Sequence, residues 1–223
     1  MILFPASISI LVVWAVLSWQ QCSYWKNSIE LWNHNLRLTE DNFMTHYGLG
    51  NALFNEGKLE ESIYHYSEAI SLQPDDAKSY NNRGTIYGEL GHYQRAINDL
   101  NEAILLQPDD AKFYYNRGLI YDNLRQYQRA INDYNETIRR KPDYAAYSNR
   151  GLAYINLGQY PRAIEDGNEA IRLKPDGVDA YNNRGLAYFM QGNKELGCRD
   201  AQEACALRNC KLLEWAKRKG NCS

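Results

Sequence analysis

Four arginines and four aspartates recur in step along this chain. Arg83, Arg117, Arg150 and Arg184 are each followed sixteen residues later by an acid: Asp99, Asp133, Asp166 and Asp200. A guanidinium fork matches a carboxylate through two parallel hydrogen bonds, and a buried charge demands a partner. The spacing therefore predicts an ion pair between two neighbouring helices at each recurrence; the alternative is an arginine ladder that grips anionic ligands. One residue ahead of each arginine stands an asparagine: Asn82, Asn116, Asn149 and Asn183. A primary amide both donates and accepts, so a row of them can satisfy a guest backbone without reading its side chains. The competing reading is that these amides bond to neighbouring helices or to water.

Cysteine chemistry is concentrated at the carboxyl end, in Cys198, Cys205, Cys210 and Cys222. Four cysteines allow three pairings; an antiparallel hairpin there would bring Cys205 to Cys210 and Cys198 to Cys222. Such bridges imply an oxidising compartment, whereas reduced, half-buried thiols are the alternative. The spacings lack the close pair of a zinc site. His34, His46, His65 and His92 are scattered, and Gly48-Leu49-Gly50 lacks the third glycine of a phosphate cradle. Asp75-Asp76 and Asp109-Asp110 read as turn residues. These patterns predict neither an enzyme nor a cofactor or metal site. A net charge of −2 and a pI near 6.1 give no electrostatic footprint for nucleic acid.

The elements that carry these residues follow from a repeat. Gly50, Gly84, Gly118, Gly151 and Gly185 are spaced by 34, 34, 33 and 34 residues, and a fixed period of this size signals a solenoid. Around each glycine lies an aromatic at i−4, a large residue at i+3 and a small residue at i+12, and the first four have a proline at i+24. In the second repeat these are Tyr80, Gly84, Tyr87, Ala96 and Pro108, with Leu100 and Ala103 between the last two. The third has Thr137 for the second alanine, and the fourth has Gly167 where a ring is usual. Proline cannot extend a helix and closes each pair; Asp76 and Asp110 stand where they can cap the helix that follows.

This pattern resembles the tetratricopeptide repeat over residues 43–209. The resemblance implies an all-α superhelical solenoid of about five helix-turn-helix repeats: 43–76, 77–110, 111–143, 144–177 and 178–209. It also implies that the asparagine position faces a concave groove, as in other long arrays of the family, and that the partner is a protein or an extended peptide. Lys78 and Lys112 start their helices near the same groove. The carboxylate-clamp form of the family needs a polar group where Gly48 stands, so no clamp is expected, and Tyr115 reads as a half-exposed ring. Arginine before the anchor glycine departs from the usual leucine; the first repeat has Leu49 there, and His65 in place of the acid.

Both ends carry additions. Residues 1–19 contain no charge and as a helix would span ~28 Å, near the hydrocarbon thickness of a bilayer. A transmembrane helix is expected over 1–21, then a linker and amino-terminal capping helix over 22–42, whose Trp25, Ile29 and Trp32 have helical spacing. The cap aligns with the second helix of a repeat. Residues 210–223 are expected to form a carboxyl-terminal capping helix and tail. The cysteines favour an array on the periplasmic or extracellular side of a single-pass anchor. The run Gln20–Trp25 is similar to the linker that joins a last membrane span to tetratricopeptide repeats in certain integral-membrane glycosyltransferases, which implies an accessory tail as the second reading.

Overall fold

Small residues at helix crossings set this architecture. The computed structural model describes residues 28–38 and 42–222, so the expected span over 1–21 lies outside the described residues. Among those described, every regular element is helical, and no helix is long and apolar enough to cross a membrane. The chain divides into two units, the first ending at Leu90 and the second starting at Gly91.

In the first unit α1 (Ser28–Leu38) precedes α2 (Phe43–Asn55), α3 (Leu59–Leu72) and α4 (Ala77–Glu89). Helices α2 and α3 form a hairpin: Ser62 donates to the Gly50 carbonyl at 2.7 Å, and the Tyr66 ring fills the space beside Gly50. The starts of α2 and α4 are each sealed by a short polar side chain. Asn42 accepts from the Thr45 amide at 2.8 Å and Asp76 from that of Ser79 at 2.7 Å, caps worth about 1 kcal/mol each.

The second unit runs α5 (Tyr93–Leu106), α6 (Ala111–Asn123), α7 (Tyr127–Arg140), α8 (Tyr144–Asn156), α9 (Tyr160–Leu173), α10 (Val178–Met190), α11 (Lys194–Ala206) and α12 (Lys211–Arg218). Three hairpins, α6–α7, α8–α9 and α10–α11, stack with Ala130, Ala163, Ala180 and Ala187 buried at the crossings. Asp110 and Asp143 cap α6 and α8. The turn inside each hairpin needs one left-handed residue. Gly57, Gly91, Gly158 and Gly192 supply it elsewhere in the chain, but Arg125 does so between α6 and α7, at φ 57°. Helix α12 covers the last hairpin: Phe189, Ala201 and Ala216 form a small core with Leu212, Leu213 and Trp215 packed against it.

The second repeat is shared between the units, with α4 in the first and α5 in the second.

Candidate functional site

Three of the arginines make the same set of bonds. Arg117 grips Asp133 through Nε and Nη2 at 2.8 and 2.7 Å. Arg150 grips Asp166 at 2.9 and 2.6 Å, and Arg184 grips Asp200 at 2.8 and 2.7 Å. Each pair joins the first and second helix of one hairpin. The carboxylates are nearly sealed, with side-chain exposures of 6, 6 and 4% against 20, 17 and 19% for the guanidinium partners. Two tyrosines on the arginine's own helix flank it, as Tyr114 and Tyr121 do Arg117 at 5.8 and 6.0 Å. Burial opposes both charges: it pushes the Asp133 and Asp166 carboxyls upward against the pull of their arginines. Arg117 and Arg150, subject to the same burial, still sit above their ordinary range because the hydrogen bonds and charge of the carboxylates outweigh it. The ion pair is thus the stable form.

The arginines do a second job that the sixteen-residue spacing does not reveal. Nη1 reaches the second helix of the preceding repeat, donating to Asn101 from Arg117 at 2.6 Å, to Asn135 from Arg150 at 2.6 Å and to Asn168 from Arg184 at 2.7 Å. One side chain therefore ties hairpin to hairpin as well as helix to helix. The available signal was Asp-x-Asn, which recurs as Asp99-Leu-Asn101, Asp133-Tyr-Asn135 and Asp166-Gly-Asn168. In the first unit Arg83 makes the equivalent bond to Ser67 Oγ at 2.9 Å; its expected partner Asp99 is buried on α5 in the second unit. In the first repeat Leu49 stands in place of the arginine and His65 in place of the acid, and the Nδ1 atom of His65 lies 3.0 Å from that of His46. Burial, and then the neighbouring His46, lower the His65 imidazole.

The ladder asparagines Asn82, Asn116, Asn149 and Asn183 are all half-buried. Asn149 donates to the Tyr115 hydroxyl at 3.1 Å. Asn183 donates to the carbonyl and hydroxyl of Ser148 at 3.0 and 3.1 Å. Tyr115 and Ser148 each stand one residue ahead of the preceding ladder asparagine, so the amide N–H groups bind repeat to repeat. Asn82 donates to Asn51 and to the Tyr66 hydroxyl, both at 3.3 Å, and accepts from Asn81 at 3.1 Å. The bonds to neighbouring helices weighed as the competing reading are thus present. The Oδ1 atoms of Asn149 and Asn183, by contrast, accept no bond from the described chain.

A cleft of about 680 Å³ opens beside this row, between the starts of α6 and α8 and the end of α7. Lys112, Tyr115, Thr137, Arg140 and Asp143 line it. Arg140 is committed to Glu136, to the Pro108 carbonyl at 2.8 Å and to the Tyr114 hydroxyl at 2.9 Å. The Tyr115 hydroxyl is raised first by burial, against the Asn149 bond that lowers it, and further by the charges of Asp143, Asp122 and Asp179.

At the carboxyl end Cys198 is bonded to Cys222 and Cys205 to Cys210. The first bridge fastens the tail to α11 and the second closes the turn into α12.

Hairpins stacked on small-residue crossings, with one polar set repeated on each, define a helical repeat protein. Models of the TPR repeat match residues 50–91 and 151–192, and a tetratricopeptide repeat model matches residues 81–145. These stretches are tetratricopeptide repeats. Protein O-mannosyl-transferase TMTC1 of Mus musculus is 29% identical over 84 residues, 38% of this chain and 9% of that protein. Hsp70-Hsp90 organizing protein 3 of Arabidopsis thaliana is 47% identical over 38 residues, 17% of this chain and 7% of that protein. The match thus spans less than a tenth of either relative. Among solved structures, MamA aligns at a TM-score of 0.67 and 25% identity, over 72% of this chain and 94% of MamA. YrrB, described as a TPR protein with an unusual peptide-binding site, aligns at 0.71 and 20% identity, over 85% and 99%; that likeness is one of fold.

Proposed function

We propose that this chain is a membrane-anchored scaffold that holds extended segments of other polypeptides on the face of its first helices and performs no catalysis. The observation that carries the reading is the state of Asn149 and Asn183. Their N–H groups fix the amides in place, and their Oδ1 atoms remain open to a guest's backbone N–H. A tethered acceptor is preorganised, so a guest loses little affinity to ordering it. Residues 1–19 supply the anchor, on the strength of their length and lack of charge. The two disulfides favour an array on the periplasmic or extracellular side.

A photo-crosslinking amino acid placed at Leu152, 39% exposed on α8, tests the face; the control position is Leu105, 74% exposed on α5. In native membranes polypeptide adducts are expected from position 152 and not from 105. Equal adducts from both, or none from 152, would sink the proposal. Labelling of intact cells with a membrane-impermeant maleimide, before and after reduction, reads the side of the membrane.

The likeness to an O-mannosyl-transferase over 84 residues favours a second reading, in which these repeats are the tail of an integral-membrane glycosyltransferase and present its acceptor protein. Under it the adducts from position 152 carry O-linked mannose; under the first reading they need not.

A further inference from the structure

The same face in the second unit carries an apolar row beside the amides. Leu119, Leu152 and Leu186 stand four residues after Tyr115, Ser148 and Asn182, one helical turn further along α6, α8 and α10. The bonds Asn149–Tyr115 and Asn183–Ser148 fix the three helices in that register. Leu119 and Leu186 are half-buried, Leu152 is 39% exposed, and Met190 at the end of α10 is 51% exposed. Such a row leaves apolar area for a partner to cover.

Charge decides what kind of partner. The cleft lining carries three cations, Lys112, Arg140 and Lys141, and three acids, Asp109, Asp110 and Asp143, and Arg140 shares Glu136 with Arg139. Exposed Asp179 and half-buried Asp122, outside that lining, add two further acids to exposed Asp143. All three charges that act on the Tyr115 hydroxyl, at the centre of the face, are these carboxylates. We propose, resting on the scaffold reading above, that the face of α6, α8 and α10 takes an extended protein segment bearing apolar side chains and at least one lysine or arginine. The apolar side chains cover the leucine row, and the cation is drawn to Asp143 and Asp179 by the unbalanced negative field.

The test uses the full chain in detergent and three dye-labelled peptides that share the same leucines and glycines but carry lysine, glutamate or glutamine at the remaining positions. Fluorescence anisotropy should show the lysine peptide binding about tenfold or more tighter than the glutamate peptide, with the gap shrinking at high ionic strength. A variant carrying Asp143→Asn and Asp179→Asn should narrow the gap to about threefold or less; asparagine can still cap α8. Glutamate binding as tightly as lysine overturns the cationic partner and leaves the scaffold reading standing. A gap that the double variant does not narrow overturns this placement of the cation. Failure of all three peptides to bind folded protein overturns both the inference and the scaffold reading beneath it.

Discussion

Trp32 of α1 lies so close to Gly48 of α2 that a Cβ at residue 48 would overlap the indole. Trp32 precedes Tyr66 by one 34-residue period, and Gly48 precedes Asn82 by the same period. Tyr66 and Asn82 are themselves bonded, hydroxyl to amide. The contact of a second-helix ring with the ladder position of the next first helix therefore recurs one repeat upstream, with a larger ring met by a smaller partner. Helix α1 packs as the second half of a repeat.

Gly48→Asn should accordingly destabilise the first unit by about 1–3 kcal/mol through overpacking. Adding Trp32→Tyr restores the pairing found one repeat later and should recover at least half of that loss. Thermal unfolding followed by circular dichroism checks both variants. If Gly48→Asn is neutral, the close packing of Trp32 is wrong.

Arg117→Met keeps the apolar stem but strands the sealed Asp133 carboxylate. The expected cost is about 3 kcal/mol, the low end for breaking a buried pair because the guanidinium is 20% exposed. Replacing both partners, as Arg117→Met with Asp133→Leu, should cost less than the single change, since no buried charge is left without a partner. A double variant less stable than Arg117→Met would show that the stranded Asp133 carboxylate is not what makes the single change costly.

Arg125 holds the left-handed turn that glycine holds in the other hairpins. A side chain there carries a steric cost of roughly 1 kcal/mol, so Arg125→Gly should stabilise the chain by about 0.5–1 kcal/mol after the loss of unfolded-state restriction. An unchanged or lower melting temperature would place a compensating contact at Arg125.

The helices were legible because small residues, rings and prolines recur at one period, and crossing geometry tolerates nothing else at Gly50 or Gly118. Arg117 and Asp133 carry their signal in the same way, as two charged types that appear together and vanish together at Leu49 and His65. The bonds from arginine to Asn101, Asn135 and Asn168 were present in the sequence as Asp-x-Asn but hidden, because an asparagine has no obligate partner and its neighbours are set by stacking. The split use of the ladder amides was hidden for the same reason. An amide's residue type states what it can bond, whereas its surroundings decide which of its atoms stay open.

Asp122 provides a pH signature. Its carboxyl is pushed up to about 6, first by burial, against the Tyr134 hydroxyl that donates to it at 2.6 Å. Its Oδ1 is buried with no hydrogen-bond partner. A folded-state value raised above the ordinary carboxylate range means that the native chain binds this proton more tightly than the unfolded chain. The stabilisation is complete below about pH 4 and is lost as pH rises through about 6. Asp122 is only half-buried, so with solvent screening the change amounts to about 1–2 kcal/mol. Asp122→Asn removes the titration and still offers an acceptor to Tyr134. The stability of this variant relative to its parent should therefore rise between pH 4.5 and 7.5 by about that amount, as measured by urea unfolding at each pH. A difference that stays flat across this range would mean that Asp122 titrates as an ordinary surface acid.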